Sequence, residues 1–269
     1  MNAYLMEIKA LSWRWFLHSK RRPIVLLAGL FQPFIWLVLF SAVFKNSPMR
    51  TLVGTDSYLA FITPGALVFT AFTGALNGGV PILFDRELGF LDRLLAAPLK
   101  SRFSIIWATG FHIFVMTLLQ CVVIVLVTSV MGVKFNGGLA GIGVFILVLA
   151  LITMLFTTLS LALSFALRYH FELLSIIMII SLPLMFMSTA FAPLEYMPGW
   201  LTWFVSLNPI TMAVEPLRAV FFDGSWQGSK NLLATPVANL SMWGCLAVLV
   251  VMNLIMTALA KVVIGKKLA

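Results

Sequence analysis

Apolar residues along the chain collect into six runs, at residues 24–44, 58–80, 104–130, 139–167, 171–192 and 237–260. Each is long enough to cross the roughly 30 Å of hydrocarbon in a bilayer as a helix. The only Asp, Glu, Lys or Arg inside them is Glu172, at the start of the fifth. A charge at mid-bilayer costs about 2.5–3.5 kcal/mol on insertion scales, so ion pumps and proton-coupled carriers keep a few only where they work. The pattern predicts an all-α membrane protein, a single transmembrane domain of six helices over residues 1–269, without a buried ion relay.

The segments between the runs have patterns of their own. In residues 1–22, Leu5, Ile8, Ser12 and Trp15 recur at helical spacing beside Lys9, Arg14 and Lys20, which predicts an interfacial helix lying on the bilayer. In residues 84–98, Phe84, Leu88, Leu91 and Leu95 share one helical face, with Asp85, Arg86, Glu87, Asp92 and Arg93 around the others. This segment is expected to be one amphipathic helix that rests on the membrane or docks a partner. Residues 193–236 hold two apolar stretches too short to span, 200–207 and 210–222, separated by Asn208-Pro209. Proline donates no backbone hydrogen bond and disfavours helix in the residue before it, so two short re-entrant helices are expected, with Trp200, Trp203 and Trp226 at headgroup level. Only Arg168, Tyr169 and His170 separate runs four and five, and Arg168 is expected to pair with Glu172 across that turn.

Composition narrows the class. Of 269 residues, 61% are hydrophobic and 10% charged, with a mean hydropathy of +1.05; a soluble fold, at about 25% charged, is excluded. The net charge of +9 does not form one basic face, so no nucleic-acid partner is expected. Thirteen of the 18 Lys and Arg residues fall on the side of the membrane that holds both chain ends, and the positive-inside rule then makes both termini cytoplasmic. Cys121 and Cys245 lie inside apolar runs and read as packing residues. The run from Ile24 ends without a cleavage-like site and is expected to remain as the first anchor.

Catalytic chemistry is missing from the pattern. There is no phosphate loop, since Gly265-Lys266-Lys267 lacks the hydroxyl residue and the preceding glycine. No histidine pairs with a nucleophile at membrane depth, and no ligand spacing for a metal occurs. The polar residues within the runs are Gln32, Asn77, His112, Gln120 and Asn253; interhelical hydrogen bonds, worth about 0.6–2 kcal/mol each, account for them. Gly74 and Gly78 form a small-x-x-x-small pair, serving close packing within one subunit or between two. Pro183 with Met178, Met185 and Met187 reads as core filling.

Two segments together resemble a known family. The run Phe-Asp-Arg-Glu-Leu-Gly-Phe-Leu-Asp-Arg-Leu-Leu-Ala-Ala-Pro at 84–98 resembles the loop after span two of type-2 ATP-binding-cassette (ABC) export permeases. Ala-Pro-Leu-Glu-Tyr-Met-Pro-Gly-Trp-Leu at 192–201, then Leu-Asn-Pro-Ile-Thr at 207–211 and Glu215 to Arg218, resembles that family's segment before its last span. The nearest likeness is to bacterial drug-resistance and nodulation-factor export permeases.

The resemblance implies a homodimer of six-span subunits in a bacterial cell (inner) membrane, bound to two copies of a separate ATPase that carries ATP and Mg. It implies export of an amphiphilic, drug-like or lipid-like molecule, with lipid-linked polysaccharide as the near alternative and an ATP-independent secondary carrier as the distant one. In that family the segment matching 84–98 is the coupling helix, which places Glu87, Leu88, Leu91, Asp92, Arg93 and Leu95 against the ATPase. Residues 1–22 match a connecting helix at the membrane surface. The outer re-entrant segment, marked by Pro198, Trp200, Asn208 and Pro209, caps the exit. No substrate residues carry over.

Overall fold

The computed structural model describes residues 3–21, 23–44, 57–90, 93, 104–223, 226–236 and 238–268. The chain is mostly helical. An N-terminal helix α1 (Ala3–Arg21) precedes α2 (Pro23–Val43) and α3 (Tyr58–Leu76). A 3-10 turn, Asn77–Gly79, joins α3 to α4 (Val80–Glu87). Then come α5 (Ser104–Val130), α6 (Gly138–Ala166) and α7 (His170–Phe186). Two short helices, α8 (Gly199–Leu207) and α9 (Pro209–Phe222), lead to a hairpin of β1 (Asn231–Ala234) and β2 (Asn239–Ser241), and α10 (Met242–Leu268) closes the chain.

Among the described residues, four helices are long and apolar enough to cross a membrane: the rod Tyr58–Glu87, α5, α6 and Met242–Ile264 of α10. Leu27–Val43 and His170–Phe186 are shorter apolar helices. The 30-residue rod is about 45 Å long, so it outreaches about 30 Å of hydrocarbon, with length to spare for its charged end, Asp85-Arg86-Glu87.

The rod is the centre of the bundle. Phe61, Leu67, Phe72 and Leu76 of α3 are fully buried and pack with Leu149 and Ile152 of α6 and Phe221 of α9. Phe72 meets Phe156 edge-on at 4.6 Å. The outer helices keep apolar side chains on their free faces, Leu27 and Phe31 on α2, Leu126 on α5 and Leu254 on α10 among them, the distribution that a lipid solvent allows and water does not.

Close approach occurs at the 3-10 turn. A Cβ on Gly79 would collide with the Ser160 carbonyl of α6, and one on Gly78 with Ile113 of α5. The Gly79 N–H donates to Ser160 Oγ at 2.9 Å, and that hydroxyl donates to the Leu76 carbonyl. Gly78 and Gly79 thus serve packing within the subunit, Gly79 against backbone and Gly78 against the end of a side chain. A Cβ on Gly74 would meet only Thr117 Oγ1, at 3.4 Å.

The helix ends sort into two groups. At one end Trp15 of α1, Ile82 of α4, Phe165 of α6 and Ala260 and Ile264 of α10 form one cluster. At the other end the Asn136 N–H, between α5 and α6, donates to the Phe221 carbonyl at 3.2 Å, and Trp226 Nε1 donates to the Gly137 carbonyl at 3.3 Å. Tyr58 Oη there donates to the Phe191 carbonyl at 3.0 Å.

Local details depart from the sequence reading. The hairpin, closed by Thr235 Oγ1 to the Ala238 carbonyl at 2.6 Å, occupies positions assigned to the start of the last run, whose helix begins only at Met242. The fifth run is helical only to Phe186. Glu172 meets Arg168 through the backbone: Oε2 accepts from the N–H groups of Arg168 at 3.1 Å and Tyr169 at 3.4 Å. An acid in the first turn satisfies otherwise orphaned donors there. The segment 84–98 does not run as one helix from Phe84. Helix α4 ends at Glu87, and Gly89, at φ +68°, donates its N–H to the Arg86 carbonyl at 3.0 Å. This is a left-handed glycine stop, where a side chain would be strained.

Candidate functional site at the two ends of the bundle

Helix α4 ends in Asp85, Arg86 and Glu87, and each of these side chains holds a different element. Asp85 accepts from Arg14 of α1. The Arg14 guanidinium also lies over the Phe90 ring at 4.4 Å. Arg86 Nη1 donates to the carbonyls of Ser164 at 3.2 Å and Phe165 at 3.4 Å, and Nη2 donates to Leu167 and, at 3.1 Å, to Arg168. These carbonyls stand at and just past the C-terminus of α6, where a helix carries partial negative charge and lacks internal donors.

Glu87 does the converse at the start of α7. Its Oε1 accepts from the His170 N–H at 2.6 Å, and its carboxylate faces His170 Nδ1 at 2.8 Å. The Phe84 ring stacks on the His170 ring with centroids 4.3 Å apart. The His170 backbone N–H holds the Glu87 carboxyl below the usual carboxylate range, with the His170 ring and Arg86 adding to it. Two adjacent residues of opposite charge therefore clasp two helix ends of opposite polarity.

Among the residues expected at the coupling surface, Glu87 is engaged within the chain. Leu88 is 80% exposed, directly beyond the stop, and Arg93 is helical and exposed. Leu91, Asp92 and Leu95 lie outside the described residues. Sequence reasoning did not find that α1, α4 and the α6–α7 turn form one knot. The signal available was the charged triplet 85–87 and the acid-capped turn 168–172, with nothing in either to name its partner.

At the opposite end the expected break is present. Asn208 caps α9, its Oδ1 accepting from the Ile210 N–H at 2.9 Å, with Pro209 in the first turn. Its Nδ2 donates to the carbonyls of Leu184 at 2.6 Å and Met187 at 2.5 Å, so one buried amide ties the break to the end of α7. Pro198 is the residue before α8, and Trp200 is exposed on its first turn. Arg218 of α9 pairs with Glu215 at 2.5 Å, donates from Nη2 to the Thr189 carbonyl at 2.6 Å, and lies 4.0 Å over the Phe61 ring. The stretch after α7 thus hangs from α9 and α3.

Among the described residues no group of three His, Cys, Asp or Glu side chains could hold a metal ion. What both ends offer is mechanical linkage between helices.

Comparison with known proteins gives this architecture its family. Residues 6–222 match the ABC-2 type transporter family. The chain is 40% identical over 252 residues, 94% of its length and 87% of the relative's, to a putative transport permease, ycf38, of Cyanophora paradoxa. It is 26% identical to the daunorubicin resistance ABC transporter permease protein DrrB1 of Streptomyces coeruleorubidus, covering 80% of this chain and 75% of that one. A probable doxorubicin resistance ABC transporter permease protein, DrrC, of Mycobacterium tuberculosis is 24% identical over 89% of this chain and 81% of its own length. With four-fifths of its length matched, the chain belongs to the ABC-2 type transporter family of membrane permeases.

Proposed function

We propose that this permease is the six-span subunit of an ATP-driven exporter, working as a homodimer with two copies of a separate ATPase that carries ATP and Mg. The carrying observation is the knot at the end of α4: one short segment ties α1, the rod and the α6–α7 turn together beside the exposed Leu88. A push there reaches three elements at once.

Six crossings are supported by the sorting of helix ends, since α2, the rod, α5, α6, α7 and α10 run alternately between the two groups. Helix α7, with 17 residues, rises about 26 Å, and the stretch after it, held by Asn208 and Arg218, completes the crossing. The excess of Lys and Arg on the α4 side supports a cytoplasmic placement of that side and of both chain ends, in a cell inner membrane on this reading.

ATP binding closes the ATPase pair, which pushes on the segment beyond Gly89 and parts α2, α3 and α7 of the paired subunits. Only a ligand with different affinity for two states can shift them, and ATP on the partner is that ligand. Charge-free spans suit an amphiphilic cargo, and the drug-resistance names of two relatives support a drug-like or lipid-like one.

The test is purification of the tagged permease from native membranes with identification of what accompanies it. An ABC ATPase at one-to-one stoichiometry is expected. In the reconstituted complex, Leu88→Asp with Arg93→Glu abolishes substrate-stimulated ATP hydrolysis; unchanged hydrolysis overturns the coupling assignment. Export by the permease alone under an ion gradient overturns the whole reading in favour of a secondary carrier.

A further inference from the structure

Four of the five polar residues within the apolar runs, Gln32 of α2, Asn77 of the 3-10 turn, and His112 and Gln120 of α5, line one cleft of about 500 Å³. Asn253 stands apart, donating to the carbonyls of Leu151 at 3.1 Å and Leu249 at 2.9 Å as an ordinary interhelical tie. The cleft lies in the half of the bundle nearest α4. Helix α1 roofs it: Trp15 and Ser19 belong to its wall, and Ser19 Oγ is 2.9 Å from His112 Nε2.

Three features define what such a cleft can hold. Gln32 and Asn77 are exposed in its wall, with Asn77 Nδ2 donating to the Thr73 carbonyl at 2.8 Å, and amide groups turned toward hydrocarbon are costly, so acyl chains do not fill it. Among the described residues no Asp, Glu, Lys or Arg lines it, so a phosphate or an ammonium head would be desolvated there without a counter-charge. The Thr109 hydroxyl, on a lining residue only 3% exposed, has no hydrogen-bond partner among the described residues. Amides, hydroxyls and imidazoles each supply both donors and acceptors without net charge. The volume falls within the range of small-molecule pockets.

We infer that this cleft binds the uncharged, hydroxyl-rich head of an amphiphile, a sugar-type head group whose apolar tail stays in the surrounding lipid. The inference rests on the bilayer orientation of the proposed function but not on the ATPase. The head could belong to a resident glycolipid or to the cargo, and the same chemistry recognises both.

The experiment uses the permease alone in nanodiscs, with a photoreactive monogalactosyl diacylglycerol carrying a diazirine at the glycerol end of one chain. Phosphatidylglycerol with the same chains and label is the control, and adducts are mapped by mass spectrometry. Galactolipid adducts are expected on residues 28–32, 70–81 and 109–120, about tenfold above the phospholipid. The double variant Gln32→Leu, Asn77→Leu lowers them about tenfold. Thr109→Val, isosteric and therefore safe for folding, lowers them in the same direction. Equal labelling by the two lipids, or labelling indifferent to both variants, overturns the inference. Adding the ATPase and ATP separates the sources: a cargo head leaves the cleft on turnover, and a resident one stays. A failure of ATPase copurification leaves the labelling result intact, so the two readings fail separately.

Discussion

Glu87 and His170 meet twice, through the backbone N–H at 2.6 Å and the ring Nδ1 at 2.8 Å, although 83 positions separate them in the chain. The first contact places a carboxylate on the N-terminus of α7, and the second adds a charge-assisted bond when the imidazole is protonated. Glu87→Gln keeps the size and loses the charge. Faster hydrogen exchange at residues 168–172 and weaker coupling of ATP hydrolysis to transport are expected. Because the folded carboxyl is held below its usual range, the stabilisation is present above that range and is lost as pH falls through the folded value. Protection at 168–172, taken relative to the intrinsic exchange rate at each pH, should therefore fall on acidification in the native protein and far less in Glu87→Gln.

Arg86 serves carbonyls at the end of α6 with a forked donor, which lysine cannot reproduce. Arg86→Lys is expected to cost about 1–3 kcal/mol as carbonyls lose their donors. The readout is the thermal midpoint in detergent. A midpoint equal to the parent's would mean that water serves those carbonyls equally well.

Gly79 and Gly74 make a matched pair. Gly79→Ala drives a methyl into the Ser160 backbone and is expected to cost about 1–3 kcal/mol. Gly74→Ala meets only Thr117 Oγ1 at 3.4 Å and should be nearly neutral. Equal midpoints for the two variants would remove the 3-10 turn as the tight contact.

Asn208→Asp preserves the cap acceptor for Ile210 and removes both donors to α7. A loss of about 1–3 kcal/mol for each carbonyl left unpaired is expected, read as a lower thermal midpoint together with faster exchange after residue 184. If Asp behaves as Asn does, the tie between the outer break and α7 carries no energy.

Much of this could be read along the chain, where the cause is local. Asn208-Pro209 carries its own cap and its own break, so the α8–α9 boundary falls where the residues say. The long apolar runs of α5 and α6 end within a residue of their helices because hydropathy changes sharply there. Local chemistry also explains two misjudged details. Gly89 can stop a helix or sit on its face, and only the backbone decides which. Four residues of β1 and three of β2 are too short to register against an apolar run. What could not be read is convergence. Gln32, Asn77, His112 and Gln120 look like scattered ties until α2, α5 and the turn between α3 and α4 bring them to one wall. Arg86 and Glu87 likewise name the polarity of a partner without saying which helix end supplies it.

The junction at Gly79 has a geometric consequence. Ser160 pins the rod there, about 14 Å from Leu88 and about 32 Å from Tyr58 at 1.5 Å per residue. A rigid rod pivoting on that fulcrum swings Tyr58 in the opposite sense to Leu88 and a little more than twice as far. Such a lever converts a small, forceful stroke at one surface into a longer, weaker one at the other, where Tyr58 holds the Phe191 carbonyl.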